Sequence, residues 1–253
     1  MREEQQKQDL IIGRNAVAEV FKSDRTVDTL YLLRGEKNPA LTRFASLCRE
    51  AGGVVKEVDR KKLDSLCGGA NHQGVAAFVA AHAYSSVEEI LDYAREKGEP
   101  PFVIVCDELE DPHNLGAIIR TAEAAGAHGI IIPKRRSVSL NYTVGKASAG
   151  ALEYMRVARV ANLPATLEDL KKAGLWIYGA DMDGQNYRET DFSGACALVV
   201  GSEGNGMGRL VREKCDFIVS LPMHGKINSL NASVAAGILL YEIAGQRESG
   251  FEV

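Results

Sequence analysis

From about residue 102 onward, short, mostly apolar runs alternate with stretches of helical periodicity. The runs at 102–106, 129–132, 155–160, 175–180, 197–200 and 217–220 predict strands. Helices are expected between or after them, at 115–125, 142–147, 166–173, 208–213 and 230–244. Strands that lack polar alternation have both faces buried, so the rhythm predicts a mainly parallel sheet with helices on either side. Ligands of such sheets bind beyond the carboxyl ends of the strands.

A tighter alternation occupies residues 10–80. Helical patterns at 15–21, 39–51 and 60–67 interleave with strand patterns at 28–33, 54–58 and 74–80. This reads as a separate small α/β unit. Between the two regions, Val87-Glu-Glu-Ile-Leu-Asp-Tyr-Ala-Arg-Glu predicts an amphipathic helix, and Lys97-Gly-Glu-Pro-Pro101 ends it, because a Pro-Pro pair cannot continue a helix. The expected organisation is an N-terminal domain over 1–82, a connector over 83–100 and a larger domain over 101–253.

Composition narrows the class. No apolar stretch of the 253 residues approaches the ~20 needed to span a bilayer. The opening residues, Met1-Arg-Glu-Glu-Gln-Gln-Lys-Gln-Asp, lack the apolar core of a signal peptide, so a cytoplasmic location is expected. The five cysteines, Cys48, Cys67, Cys106, Cys196 and Cys215, never form Cys-x-x-Cys, which argues against zinc ribbons and disulfide frameworks. The five histidines show no zinc spacing, and no metal is expected. A net charge of −4 disfavours indiscriminate coating of nucleic acid. It leaves room for a local basic surface at Lys134-Arg-Arg136, Lys146, Arg156 and Arg159.

Three segments carry candidate chemistry. Gly201-Ser-Glu-Gly-Asn-Gly-Met-Gly208 follows an apolar strand pattern. It matches neither Gly-x-Gly-x-x-Gly nor a P-loop, so a tight turn and a ligand-contacting loop both remain open. Ser229-Leu-Asn231 precedes the last helix, where Ser and Asn serve equally as N-caps or as part of a site lined by free amides. Asp111-Pro-His-Asn-Leu-Gly-Ala-Ile-Ile-Arg120 begins as a turn and becomes a helix, with Asn114 a candidate N-cap. Arg120 needs a partner if buried, and either Glu123 at i+3 or a phosphate would serve.

Taken together, Asn114 through Arg120, Val200-Gly-Ser-Glu-Gly204 and Leu221-Pro-Met-His-Gly-Lys-Ile-Asn-Ser-Leu-Asn-Ala-Ser233 resemble the three ordered motifs of the SpoU (TrmH-like) family of RNA ribose 2'-O-methyltransferases. Lys146-Ala-Ser-Ala-Gly-Ala-Leu-Glu153 has the same look, and the N-terminal unit resembles the family's L30-like substrate-binding domain. Lys226 and Ile227 stand outside the motif core, and the overall charge is more acidic than expected of an RNA enzyme.

The resemblance implies a C-terminal α/β trefoil-knot (SPOUT) domain, although true knots are otherwise nearly absent from proteins. It also implies S-adenosyl-L-methionine as cofactor, RNA as partner and a homodimer. Val200, Gly201, Leu221, Met223, Gly225 and Leu230 would contact the cofactor, largely through backbone. Arg120 would hold a phosphate and the reacting hydroxyl, while Asn114, Glu203, Ser229 and Asn231 would shape the site. Within the family the likeness is greatest to enzymes methylating a guanosine ribose in the peptidyl-transferase loop of 23S rRNA. The rival expectations are a tRNA ribose methyltransferase and an RNA-binding or resistance protein of the same fold.

Overall fold

The computed structural model describes residues 10–23, 25–80, 82–204, 206–227 and 229–249. The polar opening segment, and Asn205 and Asn228 of the two motifs, lie outside the described residues. The chain forms two compact units, one of residues 1–83 with 139–145 and the other of residues 84–138 with 146–253.

In the first unit, β1 (Leu10–Ile12), α1 (Arg14–Val20), β2 (Val27–Leu33), α2 (Pro39–Glu50), β3 (Val54–Val58), α3 (Arg60–Leu66) and β4 (Val75–Val79) follow in order. The sheet runs β1-β4-β2-β3, with β2 and β3 parallel and the other pairs antiparallel. Its two faces are separately apolar. Leu30, Leu32, Val75, Ala77 and Val79 pack with Val17, Leu41 and Phe44 of α1 and α2. Ala76, Tyr31 and Phe78 pack with Leu63 of α3 on the other side. β1 is absent from the sequence expectation because three residues carry too little pattern to register; pairing with β4 makes the strand.

In chain order there follow α4 (Val87–Lys97), β5 (Phe102–Cys106), α5 (Pro112–Ala124), β6 (Gly129–Pro133), α6 (Tyr142–Ala147), β7 (Val157–Val160), α7 (Leu163–Lys172), β8 (Trp176–Asn186), β9 (Cys196–Val200), α8 (Arg209–Arg212), β10 (Phe217–Ser220) and α9 (Ala232–Ser249). All five pairings of these strands are parallel, in the order β10-β8-β9-β5-β6-β7. Val103, Val105, Ile131, Ile177, Ala197 and Val199 face Leu163, Leu167 and Leu170 of α7. The alternate residues Phe102, Ile104, Ile130, Ile132 and Leu198 are also fully buried, so both faces are covered, as the unalternating runs require. α9 packs on α5 and β9.

The helix expected as a connector belongs to this core. α4 starts at a capping box between Ser86 and Glu89 and stops at Gly98 in the left-handed region (φ 68°). Its Ile90 lies in the α7-side cluster, and a Cβ at Gly129 would come within 2.6 Å of the Ile90 side chain, so β6 and α4 approach closely only because residue 129 is glycine.

β8 runs six residues beyond the expected end at Ala180. Asp181-Met-Asp-Gly-Gln-Asn186 has no strand pattern of its own; β10 pairs with it after a register shift, and Ser220 Oγ donates to the Gly184 carbonyl at 2.8 Å. Among the described residues no helix is long and apolar enough to cross a membrane. Cys106, Cys196 and Cys215 are free thiols pushed up to about 12, chiefly by burial, which removes the thiolate chemistry a reactive cysteine needs.

His128, at the amino end of β6, is a buried pH-sensitive tie. The Phe102 N–H donates to Nδ1 at 2.9 Å, so the proton of the neutral ring sits on Nε2, which donates to Glu99 at 3.1 Å. Burial holds this histidine below its ordinary value of 6.5, against the opposing pull of Glu99. The unfolded chain therefore takes up a proton at 6.5 that the folded chain refuses, and stability falls as pH drops through that value. Thermal melts from pH 7.5 to 5.5 should show a steeper loss of midpoint for the wild type than for His128→Gln, by about 2–4 °C per kcal/mol of linkage. Parallel slopes would show that His128 is not the group responsible.

Candidate active site

The carboxyl edge of the parallel sheet carries the site. After β9 the chain makes a tight reversal, in which Ser202 and Gly206 exchange two backbone hydrogen bonds of 3.0 Å. Gly204 (φ 87°) and Gly206 (φ 64°) turn the chain through the left-handed region. Gly201 is required for a different reason: a Cβ there would sit 2.2 Å from the Gly206 carbonyl carbon. The returning strand of the loop is fixed from below by Asp107, whose carboxylate accepts the Gly208 N–H at 2.7 Å. Asp107 is 5 % exposed, and its carboxyl is raised above the usual range, first by burial and against the pull of the Gly208 N–H.

The loop bounds a cavity of about 640 Å³. Val200, Gly201, Glu203, Leu221, Met223, Ser229, Leu230 and Asn231, all expected site residues, line it. Gly225 and Arg120 do not. A second hollow of about 250 Å³ shares Ser202 and Glu203 with the first and is otherwise formed by residues 108–111 and Asn114.

One carboxylate oxygen accepts from three donors on two distant segments. Glu203 Oε1 accepts from Asn114 Nδ2 at 3.1 Å, from Asn231 Nδ2, and from the Ala232 N–H at 3.3 Å. Asn231 Nδ2 also donates to Asn114 Oδ1 at 3.0 Å. The caps differ from the sequence expectation in a way that explains this. Asp111, not Asn114, caps α5, accepting from the His113 N–H at 2.9 Å with Pro112 in the first turn. Asn114 is thereby inside the helix, 6 % exposed, with its amide free for Glu203 and Asn231. At α9 the cap is Asn231, whose Oδ1 accepts the Ser233 and Val234 N–H groups while its Nδ2 faces the site. Asn231 is thus a helix cap that also lines the cavity.

Arg120 is exposed and, among the described residues, makes no hydrogen bond or ion pair; of the two partners left open on sequence, Glu123 is not engaged. Six helical residues beyond Asn114, it is turned about 120° away and advanced about 9 Å along α5. The basic cluster divides. Lys134, Arg135 and Arg136 follow β6, and Arg159, near the end of β7, donates to the Lys134 carbonyl at 3.3 Å, all on the same sheet edge as the glycine loop. Arg136 pairs with Glu108 of the smaller hollow at 2.9 Å. Arg156 precedes β7, on the opposite edge, and stacks 3.5 Å above the Tyr93 ring.

Residues missed on sequence are Asp107, Asp181 and Arg212. Arg212 of α8 donates to Asp181, and its Nη2 bonds both Asp183 oxygens at 2.9 Å; Asp181 lines the larger cavity. The only sequence signal of Asp107 and Asp181 is an acidic residue just past a predicted strand, too common a pattern to mark a site, and Arg212 carries none. Among the described residues no cluster of three or more His, Cys, Asp or Glu could hold a metal ion.

Comparison with known proteins agrees with this geometry. Residues 101–241 match the SpoU rRNA methylase family, and residues 10–85 match the domain described as RNA 2'-O ribose methyltransferase substrate binding. YacO of Bacillus subtilis, named for the TrmH family of tRNA/rRNA methyltransferases, is 51 % identical over 96 % of this chain and 97 % of its own length. The crystal structure of AviRb from Streptomyces viridochromogenes, a SpoU methyltransferase in complex with AdoMet, aligns with a TM-score of 0.62 at 26 % identity, covering 98 % of this chain and 99 % of that one. An AdoMet-bound rRNA methyltransferase from Sinorhizobium meliloti aligns with a TM-score of 0.58 at 25 % identity, covering 98 % and 91 %. The fold is thus the expected SPOUT α/β architecture with an added N-terminal α/β domain, and the chain belongs to the SpoU (TrmH-like) family of RNA methyltransferases.

Proposed function

We propose that this protein transfers a methyl group from S-adenosylmethionine to a ribose 2'-oxygen of RNA, with a guanosine in the peptidyl-transferase loop of 23S rRNA as the target. The observation that carries the reading is the junction at Glu203, where a backbone-walled cavity meets a smaller polar hollow across one shared carboxylate. The larger cavity suits the donor in size and lining. Its volume of about 640 Å³ lies within the usual range for small-molecule sites, Val219, Leu221, Ala235 and Leu239 give an apolar floor for an adenine, and the glycine loop leaves backbone amides and carbonyls close to whatever it holds.

When bound, the donor supplies an electrophilic methyl whose bond to sulfur breaks, the pair staying on sulfur, as a new bond forms to the ribose oxygen. The protein's work is mainly alignment. Asn114, Glu203 and Asn231 lock one another by hydrogen bonds and so present fixed polar groups to the ribose. Arg120 lines neither hollow of its own chain, so in this reading it would reach the neighbouring phosphate and the reacting oxygen from the second copy of the dimer proposed below. A guanidinium carries donors and no acceptor, so the hydroxyl proton passes to phosphate or water. Lys134, Arg135 and Arg159 would take flanking phosphates, positioning the strand without reading its sequence.

A homodimer is part of the proposal. Val234, Ile238 and Tyr241 form an exposed apolar stripe along α9 at i, i+4 and i+7, continued at its start by Leu230 and Ile227. A second copy of the same helix face would cover it, beside the cavity that α9 helps to wall. The cytoplasm is the expected location.

The test is methyl transfer to rRNA and, in parallel, tRNA from cells lacking the protein. Label appearing only on 23S rRNA supports the target; label only on tRNA selects the rival substrate; no donor binding by calorimetry revives the non-enzymatic reading. Arg120→Ala should lower turnover by about a hundredfold, the scale of a lost transition-state charge contact, while donor affinity stays within about twofold because Arg120 is outside the cavity wall. Gly201→Ala should do the reverse, weakening donor binding about tenfold or more as its Cβ displaces the Gly206 backbone. Ile238→Asp should shift the protein from dimer to monomer in light scattering, since a carboxylate cannot be buried unpaired in an apolar interface. A dimer unchanged by that substitution places the interface elsewhere.

A further inference from the structure

The geometry points to Asp181 as the residue that lets the cavity distinguish the cationic sulfonium donor from the neutral thioether left after transfer. The inference rests on the reading that this cavity holds the methyl donor.

The described wall of the cavity contains two carboxylates, Asp181 and Glu203, and no lysine, arginine or histidine. Glu203 is committed to the polar junction, with Oε1 accepting from Asn114, Asn231 and the Ala232 N–H. Asp181 is held differently. One of its oxygens takes the Met182 N–H at 2.7 Å, and the other takes the Arg212 guanidinium. Two supports on two oxygens fix the plane of the carboxylate without using all its lone pairs, since an ionised carboxyl accepts about four hydrogen bonds.

The charges around this group do not balance. Arg212 is shared with Asp183, which takes its Nη2 on both oxygens at 2.9 Å, so one cation serves two anions and one negative charge is left over. Asp183 does not line the cavity, whereas Asp181 does, so the uncompensated charge is expressed at the wall through Asp181. Arg212 is a positioning residue in this arrangement. It belongs to α8, directly after the glycine loop, and ties that helix to the polar extension of β8. Gly206 of the loop lies against the same carboxylate: a Cβ there would be 4.0 Å from Asp181 Oδ2. The anion is therefore set in the wall the loop helps to form, and the loop's glycines leave room beside it.

Donor and product share the adenosine and the amino-acid end, so contacts to those parts cancel in the ratio of their affinities. What remains is the charge on sulfur. A fixed carboxylate in a partly enclosed site favours the charged form, and a unit charge at several Å is worth about tenfold in affinity. Loss of that attraction after transfer also eases exchange of spent product for fresh donor, without any movement of the fold.

The experiment measures dissociation constants for S-adenosylmethionine and S-adenosylhomocysteine by calorimetry on the full-length protein. Asp181→Asn, which removes charge with little change of shape, should weaken the donor about tenfold and leave the product within about twofold. Asp181→Ser, smaller and also neutral, should move the ratio in the same direction. Asp183→Asn, which leaves Arg212 to Asp181 alone and so cancels the surplus charge, should lower the ratio in the same direction. Circular dichroism confirms that each variant is folded, and should Asp181→Asn not fold, the serine variant decides. Equal weakening of donor and product by loss of the Asp181 charge would mean that it reads a part common to both, such as the ribose diol, and the inference falls. If the wild type binds neither compound, it is the cofactor reading itself that falls.

Discussion

Oε1 of Glu203 is the point on which the site depends. It is the common acceptor for the first turn of α5, the start of α9 and, through its own backbone, the reversal after β9. Asn114 and Asn231 are separated by 117 positions in the chain, yet their side chains bond each other beside it. Polar groups so placed need every partner, because a buried amide without one is costly. Asn114 is buried and satisfied only because the other two are present. The three residues therefore form a single polar unit, and a change at one alters the geometry of all.

That unit sits where it does because the sheet is parallel throughout. Each strand ends at the same edge, so the glycine loop after β9, the acidic turn after β5 and the basic turn after β6 converge there without any special folding. The cross-tie between Glu108 and Arg136 joins two of those turns. Both residues adopt positive φ, 51° and 55°, although neither is glycine, a conformation that persists only where the surroundings impose it. The opposite edge has a different character. There His128, Glu99, Tyr93 and Arg156 tie α4 to the sheet through ring contacts and a buried histidine, interactions that stabilise rather than react.

The glycines of the loop do separate jobs. Gly204 and Gly206 supply the backbone conformation of the reversal, while Gly201 supplies the missing Cβ that lets its two limbs touch. Asp107 beneath them adds a buried acceptor for the Gly208 N–H. A loop held in this way needs little reorganisation to meet a ligand, which is the condition for binding through backbone groups without paying again for order.

The amino-acid sequence by itself determined the alternation of strands and helices, the parallel sheet and the glycine-rich turn, since these follow from local periodicity and the conformational limits of glycine and proline. It also marked Asn114, Glu203 and Asn231 as candidates. Tertiary structure alone decided that these three share one oxygen, that Asp111 relieves Asn114 of capping, that Arg120 faces outward without a partner among the described residues, and that α4 is core rather than connector. It also made a strand of residues 181–186, bringing Asp181 to the cavity wall. The reason is physical: periodicity is written in neighbouring residues, whereas a hydrogen bond between positions 89 or 117 apart, or a strand formed only because β10 pairs with it, exists only once the chain has folded.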